Sequence, residues 1–333
     1  MDFDSDMLKR VVAFTLSAAL MGTPALAQAP AAPQAEWPTQ PVKIIVPFSP
    51  GTGMDILART LQPRLGEAWR QAVVIENKPG ASGNLGAAQA AKASPDGHTL
   101  VMGASTLIIN TTLYKDMPYD PITDLAPVGL AANASLLLVA HPKLGVHSVA
   151  ELIARAKANP GALNYGSPGI ATPHHLAMEL FKLRAGIDLA HIPFSATGPA
   201  LTQLLGGEVP LMFLPVHVAI AHVKAGRLVA LANGGARRSP LAPEVPTLGE
   251  LGLRDADTDI WYALWAPAKT PPAVLNRVNA DMNRVLAQAD VRATLAAQGM
   301  EVVTSTPAEL ADRMVKEAAR WAQVVKTANI RAE

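Results

Sequence analysis

The chain has 333 residues, with 28 basic and 27 acidic side chains and no cysteine. A net charge of +1 leaves no electrostatic footprint for nucleic acid, and the missing cysteines exclude disulfides, thiol catalysis and thiolate metal sites. A chain of roughly 300 residues exceeds what one compact core usually organises, so two domains are expected.

At the amino terminus, Lys9 and Arg10 precede an apolar run over residues 11–20, and Ala25, Leu26 and Ala27 follow as small or apolar residues. That pattern predicts a secretory signal over residues 1–27, cleaved before Gln28, and a protein that works outside the cytoplasm. Gly22 and Pro24 break the run short of the roughly 20 apolar residues that a membrane anchor needs. Residues 28–40 are rich in Ala, Pro and Gln and read as a flexible lead-in.

From residue 42 the chain alternates short β-branched runs with helical periodicities. Strands are expected at 42–46, 73–76 and 99–102, with helices at 55–69 and 85–92 between them. The rhythm resumes with strands at 136–140, 163–165, 191–193, 211–213 and 229–233, and helices at 149–158, 174–185 and 199–206. This is the pattern of an α/β protein. Trp261, Tyr262 and Trp265 are expected to pack a hinge. After them come helical patterns at 272–288, 289–298 and 307–326, the last with Leu310, Met314, Trp321 and Val324 at three- and four-residue spacings.

Helices that bring no new sheet return to clothe the first domain. Domain 1 is therefore expected at 41–133 and 260–333, and domain 2 at 134–259. The crossings fall near Asn133 and Asp259, leaving a ligand cleft between two lobes.

Two loops carry the chemistry. The first strand runs into Pro47, Phe48, Ser49, Pro50, Gly51, Thr52, Gly53, Met54 and Asp55, at the start of a helix. Glycines let the backbone approach a ligand, and the unpaired amides and positive end of a helix favour an anion. Asp55 also suits a plain N-cap. The second loop, with Ser167, Gly169, Ile170 and Thr172, opens the helix at His174 and repeats this chemistry in the other domain. Two helix amino termini facing one cleft bind a carboxylate without any arginine. Ser167 and Thr172 add hydroxyls, and His175 adds a ring that can donate.

Gly80, Gly83 and Gly86 do not have the spacing of a dinucleotide loop and read as a structural turn. Catalytic motifs are missing: there is no G-x-S-x-G, no H-E-x-x-H and no Walker loop. His174 with His175, and His217 with His222, lack zinc-site spacing. A hydrolase would need Ser167 hydrogen-bonded to His175 and that ring to an acid.

Ordered short motifs then become informative. They include Trp37-Pro38, the 47–51 loop with Asp55, Glu76-Asn77-Lys78-Pro79-Gly80 with Gly83 and Gly86, Pro95-Asp96-Gly97, and Tyr119-Asp120-Pro121. Further on come Leu163-Asn164-Tyr165, Pro199-Ala200-Leu201 with Gly206-Gly207, Arg237-Arg238-Ser239-Pro240 and Pro243-Glu244-Val245-Pro246-Thr247. Together they resemble the Bug family, the extracytoplasmic receptors of tripartite tricarboxylate transporters, from Trp37 to the carboxyl terminus.

The resemblance implies a type II periplasmic binding fold and a non-enzymatic, monomeric protein without cofactor. It implies closure on a small carboxylate and delivery to transporter membrane subunits, one large and one small. A ligand-presenting sensor of the same fold is the alternative. It further implies that Thr106, Asn110, His175, Phe194, Ser195, Ala196, Thr197, Leu214 and Pro215 line or approach the cleft. Where the family usually has Asp-Asn, this chain has Leu214-Pro215; where Tyr-Lys-Gly is common, it has Phe194-Ser195-Ala196; and Ile170 stands at a commonly polar position. These departures predict a ligand with an apolar or aromatic body.

Overall fold

The computed structural model describes residues 37–327 and 330. The expected signal and most of the lead-in lie outside the described residues. Within the lead-in, Trp37 already packs edge-on against Trp69, with ring centroids 5.1 Å apart, so ordered structure starts before residue 41.

Two sheets organise the protein. The first has six strands, β1 (Val42–Val46), β2 (Val73–Asn77), β3 (Thr99–Ala104), β4 (Leu125–Ala134), β10 (Ile260–Pro267) and β11 (Met300–Val302), in the order β11-β4-β10-β3-β1-β2. Strand β1 is parallel to both neighbours, with Ile44 beside Ile75 and Leu100, and nearly all of it is buried, as befits an interior parallel strand. The helices of this half are α1 (Gly53–Trp69), α2 (Asn84–Ala91), α3 (Thr106–Leu113), α8 (Pro272–Leu286), α9 (Ala289–Ala297) and α10 (Pro307–Thr327).

The second sheet holds β5 (Leu136–Ala140), β6 (Asn164–Ser167), β7 (Ala190–Pro193), β8 (Leu211–Pro215) and β9 (Val229–Asn233), ordered β7-β6-β8-β5-β9. Its helices are α4 (Val149–Ala158), α5 (Pro173–Ala185), α6 (Thr197–Gly206) and α7 (Val216–Lys224).

The chain passes from the first sheet to the second at Ser135 and returns at Asp259. Both crossings are tied by one carboxylate. Asp259 accepts from the Ser135 hydroxyl and the Ala236 amide, each at 3.2 Å, and burial pushes its carboxyl above the usual range despite these bonds.

Three expectations change. Trp261, Tyr262 and Trp265 do not pack a hinge. They lie in β10, an inner strand buried along its whole length between β3 and β4. Trp261 and Trp265 face Leu310 and Met314 of α10, while Tyr262 and Leu264 face Val278, Met282 and Met300 on the other side. The last third does contribute a strand, since β11 adds itself antiparallel to β4, with Glu301 beside Asn133. Strand β4 and helices α3 and α7, not anticipated from the pattern, complete the fold.

Candidate ligand-binding site

Strands β1, β3, β6 and β8 lead into α1, α3, α5 and α7, with β8 passing into α7 directly, and the carboxyl edge of such strands is where α/β proteins hold ligands. The loop after β1 is built around Asp55, which is 3 % exposed. Its carboxylate accepts from the Gly51 amide at 2.9 Å, from Arg59 Nε at 2.9 and 3.0 Å, and from Asn77 Nδ2 at 2.9 Å. Asn77 also donates to the Phe48 carbonyl. Burial opposes the charge, but the donated bonds and the Arg59 guanidinium together hold this carboxyl below its usual range.

Asp55 therefore braces the loop from behind, and its oxygens are already spent on groups of the protein. Thr52 is the N-cap without a side-chain cap bond, and its hydroxyl donates to the Ser49 carbonyl. Among the described residues the first-turn amides of Gly53, Met54 and Asp55 find no acceptor, the condition in which a helix terminus draws an anion. Ser49 and Pro50 are exposed and Phe48 is half-buried. The Phe48 ring fills the place that a Cβ on Gly83 would take, 2.7 Å away.

The loop after β6 is stitched differently, by neutral groups. Ser167 is fully buried. Its Oγ lies 2.8 Å from the Gly169 carbonyl and 2.7 Å from His191 Nε2, and it accepts from the Gly169 amide. Thr172 caps α5 by accepting from the His175 amide, and donates to the same Gly169 carbonyl. His175 Nδ1 accepts from the amide of Ala171, a residue held at φ +63°, where a Cβ is costly.

The His175 and His191 rings stack at 4.0 Å, with Tyr165 on His191 at 4.8 Å. Tyr165 donates to Glu179, which Lys182 also holds. Desolvation, helped by Lys182, lowers His175 to about 4. Desolvation, with His175 and Lys182 against Glu179, lowers His191 likewise to about 4. Both rings are neutral near pH 7.

Ser167 thus bonds His191 rather than His175, and no carboxylate is bonded to either ring among the described residues. A hydroxyl has one proton, and giving it to the Gly169 carbonyl leaves His191 as the donor. That is the reverse of a nucleophile and its base.

The remaining expected residues divide into surface and support. Ser195 and Ala196 are exposed, Phe194, Thr197 and Pro215 are half-buried, and Ile170 is 41 % exposed. Thr106 is buried at the start of α3. Asn110 is fully buried and donates to the Ser82 carbonyl and Asn84 Oδ1, so it braces the 80–84 turn.

That turn is structural, as its spacing suggested. A Cβ on Gly86 would lie 2.7 Å from the Lys78 carbonyl and 2.9 Å from Pro47. Leu214 is placed differently from expectation. The alternation of β8 turns it into a core with Leu137, Val139 and Met212, so it presents no surface in this structure and says nothing about a ligand. Tyr262 and Met300, which sequence reasoning did not select, reach the start of α1. A Cβ on Gly53 would meet the Tyr262 hydroxyl at 2.3 Å and the Met300 methyl at 3.3 Å.

A cavity of about 540 Å³ lies elsewhere, beside the crossings, walled by Ser135, Arg237, Asp259, Arg313 and Arg320 rather than by either glycine loop. Among the described residues no helix is long and apolar enough to cross a membrane, and no three acidic or histidine side chains group as metal ligands.

Residues 57–330 match the family model of the tripartite tricarboxylate transporter family receptor. The chain belongs to that family. It is 36 % identical to BugT of Bordetella pertussis over 292 residues, covering 87 % of this chain and 90 % of BugT. The structure of Rpa4515 from R. palustris with adipate superposes with a TM-score of 0.80 at 34 % identity, covering 89 % of this chain and 99 % of that one. MatC from Rhodopseudomonas palustris with bound malate gives 0.77 at 31 %, covering 87 % and 100 %. The fold is that of the periplasmic binding proteins, and the receptor is a solute-binding protein, as the ordered motifs implied.

Proposed function

We propose that this receptor captures a small organic dicarboxylate in the periplasm and hands it to the membrane subunits of its transporter, one large and one small. The observation that carries the reading is the pair of helix amino termini, α1 after β1 and α5 after β6, each opening from a glycine-containing loop. In the first of them, three amides lack an acceptor. Backbone amides at two helix ends suit two carboxylate groups or the two oxygens of one. Adipate and malate in the related structures are both dicarboxylates, which supports the class. Exposed Ile170, with Ser195 and Ala196 in place of longer polar groups, favours an apolar body over an amino acid.

In this reading the signal over residues 1–27 is removed and the monomer closes two lobes, 41–133 with 260–333 and 134–259, on the acid. The test is a thermal-shift series with adipate, malate and benzoate against aspartate and glutamate, joined to mass spectrometry of any acid that copurifies. Ligand at a hundred times its dissociation constant should add about 2.7 kcal/mol of stability. Stabilisation by aspartate or glutamate alone would reject the apolar body, and stabilisation by none would reject the reading.

A further inference from the structure

The ring of Tyr262 packs in the core, but its hydroxyl has no assigned task. Tyr262 lies in β10 opposite Ala104, the last residue of β3, and so at the edge of the sheet where β1 and β3 end. The residue is 6 % exposed, and its hydroxyl donates to no acceptor among the described residues yet is not one of the fully buried unpartnered polar atoms, so it stays open to solvent or to a ligand. Buried phenols ordinarily find a partner. Burial also raises this phenol well above its ordinary value, so it stays protonated and can donate.

The hydroxyl is aimed at one place. It occupies the space that a Cβ on Gly53 would take, at 2.3 Å, and Gly53 begins the 17-residue helix α1. The amides of Gly53, Met54 and Asp55 have no acceptor there among the described residues. Three amides without an acceptor and one phenol thus sit together at the start of α1, and Asp55, the nearby carboxylate, is already turned to Gly51, Arg59 and Asn77. Such a group of donors suits an anionic oxygen.

We propose that Tyr262 is a ligand-binding residue whose hydroxyl donates a hydrogen bond to the carboxylate oxygen held at the amino terminus of α1. The proposal rests on the carboxylate reading given above and adds a side-chain donor to a site otherwise made of backbone. It also gives a reason for glycine at 53, since any side chain there displaces the hydroxyl.

The experiment is calorimetric titration of the mature protein with adipate, for wild type and Tyr262→Phe, with melting curves of both ligand-free proteins. A charge-assisted bond predicts that Tyr262→Phe weakens binding about 10- to 100-fold, while the ligand-free melting temperature stays level or rises, because the lost hydroxyl had no partner. Gly53→Ala, whose new methyl collides with the hydroxyl, should weaken binding as well. Tyr262→Phe binding within twofold of wild type overturns the proposal and leaves the carboxylate reading standing. A fall in affinity matched by a fall in ligand-free stability overturns it too, since the residue would then be structural. If wild type ignores adipate, the titration is repeated with whichever acid stabilises it; if none does, both readings fall together.

Discussion

The two glycine loops are braced with opposite electrostatics. The loop after β1 is held by an ionised carboxylate, with Asp55 gripping Gly51, Arg59 and Asn77. The loop after β6 is held by neutral rings and hydroxyls, with His191 on Ser167, His175 on Ala171, and Thr172 on Gly169. A charge-braced loop is strong until its carboxylate is protonated, and a histidine-braced loop is strong only while its rings stay neutral. The difference teaches that acid should loosen the two in sequence rather than together.

The largest expected effect comes from removing the charged brace. Asp55→Ala strips acceptors from Gly51, Asn77 and Arg59 at once and should cost about 3 kcal/mol in urea unfolding, with adipate affinity falling at least tenfold. An unchanged unfolding midpoint would mean that the loop does not depend on its carboxylate.

Next comes pH. In the unfolded chain both histidines take up protons below about pH 6.5, whereas folded His175 and His191 stay neutral down to about 4. The unfolded state binds more protons between those values, so stability falls as pH is lowered through that window and is unaffected above it. At pH 5.5, one unit into that window, the loss expected from the two rings is about 2 to 3 kcal/mol, or roughly 5 °C in melting temperature, and His191→Gln should flatten the curve. Asp55, held below its usual range, contributes above the ordinary carboxylate range and gives way only as pH drops beneath it. Hydrogen exchange at pH 5 should therefore show the Ala171 amide, bonded to His175, losing protection relative to pH 7 while the Gly51 amide, bonded to Asp55, keeps its own; the reverse would break the comparison.

The smallest effect on the fold is at Gly51, which has φ +80° and nothing within 4 Å of a Cβ. Gly51→Leu should cost only about 1 kcal/mol, the strain of a left-handed residue, because its side chain meets no neighbour. It should nonetheless reduce adipate affinity tenfold or more by standing over the helix terminus. Full affinity in Gly51→Leu would move the carboxylate away from α1.

Much of this was legible in the chain itself, for definable reasons. Strand β1 and α1 announce themselves because proline and glycine separate a β-branched run from a helical period, and α5 because Gly169 and Pro173 mark its start after the Tyr165 strand. Helix α3, with Ile108, Ile109, Thr111 and Thr112, carries strand-like residues, and its helical state is set by packing of Leu107 and Ile108 beneath β10. Strand β4 has Pro127 and Gly129 and several alanines, so local propensity says little, and its pairing with distant β10 decides. At the candidate site, the loops are visible because their glycines and the helix starts that follow them are marked in the sequence. The roles of Asp55, Asn110, Leu214 and Tyr262 are not, because each depends on which way a side chain turns in three dimensions.

The clamp at the crossings has a mechanical meaning. Strands β4 and β10 run side by side to Ala134 and Ile260, and just beyond, Asp259 fastens Ser135 and Ala236. Two plies pinned at the root make a leaf spring. Sliding one ply along the other would strain these pins, while flexing both together would leave them intact.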